Sequence, residues 1–143
     1  MATAQDFSPI NPELQDIMVS NSEEGWIPTG ENASMRVLWT GPETGRWAVL
    51  FRWGKGYVAD AHKHLSAAHT YVLKGKLEVR GGILEAGDYV YEANGMVHET
   101  TRALEDTEYL FICDGPVVFY TDEGISHYLG WEEIERMRQA FGA

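Results

Sequence analysis

From Gly25 to Tyr120 the sequence is a succession of short β-forming runs, each closed by a turn cluster that usually holds glycine. This punctuation constrains the chain more than any other feature, because runs this short cannot sustain a helical face. Residues 35–40 read as a strand and residues 41–45 as the turn after it. In residues 46–53, Trp47, Val49, Phe51 and Trp53 alternate with a face carrying Arg46 and Arg52, so one side is apolar. Residues 70–80 are the longest strand signal, and Gly75 in their middle implies a bend or a close backbone approach. Further strands are expected at 83–84, 89–92, 97–101, 108–113 and 117–120, with turns at 81–82, 85–88, 93–95 and 114–116. The period changes at the end. Trp131, Ile134, Met137 and Phe141 form a helical stripe, and acids lead its first turn. Many short strands followed by one helix define an all-β barrel or jelly roll.

The 143 residues fit one domain. We divide it into an N-terminal arm (1–24), a barrel (25–123) and a C-terminal helix (130–141). Within the arm, Asn11, Pro12 and Glu13 suit the start of a short helix reaching Val19. Several function classes are excluded. A net charge of −11 opposes nucleic acid and anionic membrane surfaces. The single cysteine, Cys113, rules out an internal disulfide and is expected as a buried thiol. With no long apolar run and no leader-like N-terminus, the expected location is the cytoplasm.

The chemistry is carried by histidines. His62 and His64 stand at i and i+2, which on a strand puts both rings on one face. His98 follows another strand–turn unit and can close a three-imidazole site, and neutral imidazole is a common ligand for zinc, iron, copper and nickel. His69 lies seven residues from His62 and five from His64. Strict alternation puts it on the opposite face, and a bulge would reverse that. His127 is expected at the surface, and Tyr71 and Tyr91 in the core or along a pocket. Trp39, Trp47, Phe51 and Trp53 are expected in the core or at a subunit interface.

Gly56, His62, His64 and Gly75 match the first motif of the cupin superfamily in type and spacing, and Gly87, Gly95 and His98 match the second. Ala93 stands where that motif has proline. The glutamate of the first motif is missing, its place falling at Ala68 or His69. The implied fold is a cupin-type double-stranded β-helix, a jelly-roll barrel with a short C-terminal helix and a metal near its axis. Residues 74–82, the Glu92–His98 spacing and Gly130-Trp131-Glu132 resemble the β-diketone-cleaving branch, the acetylacetone dioxygenases. Residues 114–120 also resemble the 2,4'-dihydroxyacetophenone dioxygenases.

The resemblance implies His62, His64 and His98 as ligands of Fe(II), a site that Zn, Ni or Mn can also enter. It implies Glu92 and Arg80 as polar residues beside the metal. His69, Thr70 and Tyr71 are the further candidates for ligand or pocket, although His69 replaces an acid and Thr70 a tyrosine of that branch. The implied reaction is oxidative C–C cleavage of an enolisable diketone by O2 in a homodimer or homotetramer. The alternative is a cupin that binds a metal without catalysis, as a structural or sensor domain.

Overall fold

Burial alternates along the strands and so separates an inner from an outer face. The computed structural model describes residues 15–94 and 101–142, together with the backbone of Val97 and His98. Its strands are β1 (Trp26–Gly30), β2 (Ala33–Gly41), β3 (Arg46–Trp53), β4 (His62–His64), β5 (Ala68–Lys74), β6 (Lys76–Val79), β7 (Gly82–Glu85), β8 (Tyr89–Glu92), β9 (Val97–His98), β10 (Thr101–Ala103), β11 (Thr107–Cys113), β12 (Val117–Thr121) and β13 (Gly124–Leu129). One helix, α1 (Trp131–Ala140), follows.

All pairings are antiparallel. A six-stranded sheet runs β1-β2-β3-β11-β5-β8, a four-stranded sheet β13-β12-β4-β9 and a three-stranded sheet β10-β6-β7. This is the jelly-roll arrangement expected from the turn spacing. Thr107, Tyr109, Phe111 and Cys113 of β11 all face inward, as do Ala68, Thr70 and Val72 of β5. Trp47 is fully buried, and its indole N–H donates to the Gly115 carbonyl at 2.9 Å.

Some expectations are corrected. The run 70–80 is two strands rather than one: β5 ends in the six-stranded sheet and β6 begins the three-stranded one. Gly75 makes the change of direction at φ 85°, and a Cβ there would collide with the backbone of Asp106 and with Thr107. The run 97–101 divides likewise, β9 pairing with β4 and β10 with β6. Residues 15–19 have no regular structure, and Ile17, Met18 and Val19 are exposed, so no apolar face stabilises the expected helix there. Its start, at 11–14, lies outside the described residues.

Helix α1 follows its stripe. Ile134 is fully buried, and Trp131 and Met137 pack on the core. Glu133 Oε1 accepts the Gly130 N–H at 2.9 Å, and Glu132 and Glu133 sit where the helix dipole favours acids. Phe141, just past the last turn, is exposed. No helix among the described residues is long and apolar enough to cross a membrane.

Candidate metal centre

A cavity of about 340 Å3 lies between the inner faces of the six-stranded and four-stranded sheets, with Leu77 and Val79 of β6 and Met137 of α1 in its wall. Strand β4 brings His62 and His64 to it side by side, their ring centroids 5.2 Å apart and their planes 21° from parallel. That geometry follows from the i, i+2 spacing on a short strand. In register, His62 of β4 is paired on one side with His98 of β9 and on the other with Phe119 of β12, which in turn pairs with His127 of β13. The three histidines read as ligands therefore fall on two neighbouring strands. The side chain of His98 lies outside the described residues. Among the described side chains, no group of three His, Cys, Asp or Glu is placed to hold a metal ion.

The surroundings of the two described rings fit a metal. His62 Nδ1 lies 2.9 Å from the Asp60 carbonyl oxygen, which can only accept, so Nδ1 carries the proton and Nε2 is the nitrogen with a lone pair to offer a metal. His64 is buried, and its Nδ1 lies 3.2 Å from Glu92 Oε2. Glu92 is buried too, 8% exposed, and Thr70 Oγ1 donates to its other oxygen at 3.3 Å. A carboxylate on one nitrogen of an imidazole fixes the tautomer and makes the other a better ligand. The Thr70–Glu92–His64 chain brings together the groups of that arrangement from diagonal positions on β5 and β8, with Nδ1 and Oε2 at ion-pair distance but not aligned as a hydrogen bond.

The remaining candidates are spread apart. His69 points to the outer face, where Nδ1 meets the Tyr89 hydroxyl at 2.6 Å and the ring packs edge-on to Tyr91 at 5.4 Å. No bulge reverses β5 at that position. Tyr71 is exposed on that same face, as is Tyr91, so neither is a core aromatic or lines the cavity. Arg80 is exposed in the two-residue turn between β6 and β7, where it and Gly81 both have positive φ, 50° and 79°. That is the hairpin turn such a short connection demands. Trp47, Phe51 and Trp53 belong to the core as expected, whereas Trp39 borders a surface groove with Ile17 and Val19.

Two cavity residues carry no distinguishing sequence signal. His127 is exposed but lines the cavity edge, its ring stacked on Phe119 at 4.5 Å and 5°. Tyr109 is 4% exposed and lines the cavity beside Trp53 and Phe51, at centroid distances of 5.0 and 5.2 Å. Burial raises its phenol well above the ordinary range, helped by the charge of Glu92. Cys113 is pushed up to about 11, mainly by burial.

This fold and its paired sheets define a small jelly roll. Residues 14–118 match the ChrR cupin-like domain family, and the chain belongs to it. An acetylacetone dioxygenase from Acinetobacter johnsonii is similar at 25% identity over 96% of this chain and 99% of that one, with a TM-score of 0.86. An RmlC-like cupin protein from Ralstonia eutropha, at 19% identity over 81% of this chain and 80% of that one, shares the fold with a TM-score of 0.75. The anti-sigma factor ChrR of Rhodobacter sphaeroides, solved with SigE, is similar at 26% identity over 62% of this chain and 48% of that one, with a TM-score of 0.56. No curated protein sequence matches the chain.

Proposed function

We propose that the protein is an Fe(II)-dependent dioxygenase that cleaves a C–C bond of a β-diketone or a related enolisable carbonyl compound. The observation that carries this reading is the Thr70–Glu92–His64 chain, set beside His62 at the wall of an apolar cavity. Near full-length similarity to an acetylacetone dioxygenase supports it.

His62, His64 and His98 would hold the ion. A bound Fe(II) supplies a Lewis acid for the two oxygens of the enolate and a redox centre for O2. The chain's own residues do the rest. Glu92 keeps His64 in the tautomer that presents Nε2, and Thr70 keeps Glu92 from rotating. Phe111, edge-on to His64 at 5.8 Å, and Phe119, 5.6 Å from His62, shield the rings from water and present an apolar surface to the substrate. In the overall reaction one C–C bond breaks and both atoms of O2 enter the products, a carboxylic acid and an α-oxo aldehyde or α-diketone.

The test is oxygen consumption by protein stripped of metal and reloaded anaerobically with Fe(II), using acetylacetone and aryl β-diketones. Uptake with Fe(II) and none with Zn(II) is expected. A second reading, a cupin that holds metal without catalysis, is favoured by the family match and the ChrR similarity. No uptake with any diketone at full iron occupancy would establish that reading instead.

A further inference from the structure

The polar groups used so far all sit at the histidine end of the cavity. Tyr109 does not. It is contributed by β11, two residues from Phe111, and its backbone pairs with Phe51 and Val72. Its ring is walled by Trp53 and Phe51, and Trp53 in turn packs on Tyr57 at 4.7 Å. Its hydroxyl makes no hydrogen bond among the described residues. It lines the cavity and is not sealed off from it, so it can donate to an acceptor oxygen that enters there.

The charge of the walls narrows what that acceptor is. Asp60 and Glu92 line the cavity, and among the described residues no lysine or arginine does. Away from the metal end, a carboxylate or phosphate on the substrate would find no cationic side chain to pair with, and Asp60 and Glu92 would oppose it. The raised phenol also stays protonated at neutral pH, so it donates.

We propose that Tyr109 is a specificity-determining residue, donating a hydrogen bond to a neutral acceptor oxygen carried by the substrate away from its chelating end. The favoured substrates are uncharged, with an aromatic or similarly flat body against Phe51, Trp53 and Phe111. This rests on the diketone reading only for which end of the substrate faces His62 and His64.

The test is binding, measured without turnover. The full-length protein loaded with Zn(II) is titrated with 1-phenylbutane-1,3-dione and with its three ring-methoxy isomers, in wild type and in Tyr109→Phe. Matched melting temperatures and zinc content show that the variant is folded and loaded. At least one methoxy isomer should bind wild type more tightly than the parent. That isomer should weaken about three- to tenfold in Tyr109→Phe, the loss of one neutral hydrogen bond. The parent should change less than twofold. Equal loss for parent and isomers, or no sensitive isomer, overturns the assignment.

If no diketone binds the zinc-loaded protein, the diketone reading fails on its own. Tyr109 is then judged on acetophenone against α-methylstyrene, which differ only in the acceptor oxygen. Wild type should prefer acetophenone, and Tyr109→Phe should lose that preference. An unchanged preference in the variant refutes the assignment on this probe as well.

Discussion

His64 and His69 are five residues apart on consecutive strands, and they occupy opposite chemical worlds. The inner face of β5 and β8 carries Thr70 and Glu92, buried and joined to His64. The outer face of the same two strands carries His69, Tyr71, Tyr89 and Tyr91, all at least partly exposed, with His69 in contact with Tyr89 and Tyr91. A shift of one residue along a strand is the whole difference. Composition cannot distinguish these faces, since both offer a histidine beside oxygen atoms. Inside, the imidazole meets a buried carboxylate in an apolar wall, the setting in which we propose that it holds a cation. Outside, it meets a phenol at the surface, in contact with water.

The comparison breaks most sharply on metal content. His62→Ala should leave no measurable iron or zinc after dialysis against free metal, whereas His69→Ala should retain wild-type stoichiometry. Equal loss in both variants, read by elemental analysis, would overturn the assignment of the two faces. Glu92→Gln should come next, weakening metal affinity about 10- to 100-fold because the amide supports His64 less well. Competition with a chromogenic chelator reads this directly. Thr70→Val removes only the donor to Glu92 and should cost about 1 kcal/mol in a denaturant titration of the metal-free protein, with a few-fold drop in metal affinity.

Cys113 sharpens the contrast through pH. Its folded pKa, about 11, lies above the unfolded value, so the folded state favours the protonated thiol. The stability this contributes is complete below the unfolded pKa of about 8.5 and is lost as pH rises toward 11. Iodoacetamide at pH 8 should therefore leave Cys113 unmodified in the native protein and label it fully in denaturant. The smallest effect belongs to the outer face: Tyr91→Ser should change stability by no more than about 0.5 kcal/mol and leave metal binding intact.

Much of this was legible in the chain. The glycine punctuation gave the jelly roll, the His62/His64 spacing gave their common face, and odd spacing placed His69 outside. Tyr71 and Tyr91 were misjudged because large aromatics suggest burial, and a sheet whose outer face is itself aromatic has no sequence signature. Strands β1 and β13 went unseen for different reasons. Pro28 and Gly30 disguise the first, and the second is an edge strand whose first five residues are all exposed, so it lacks alternation. With β13 missing, His127 could not be brought to the cavity edge. Tyr109 was hidden in plain alternation, because a phenol and a phenyl ring look alike in a strand pattern until the cavity beside them is known.

The packing of Trp53 between Tyr57 and Tyr109 has an optical consequence. An indole in the wall of a binding cavity responds to whatever enters it, and Trp39, which borders a separate surface groove, should respond far less. The protein thus contains a reporter and an internal reference. Trp53→Phe should reduce the change in emission on ligand entry, and in the unaltered protein fluorescence alone should follow occupancy of the cavity in real time, without label or turnover.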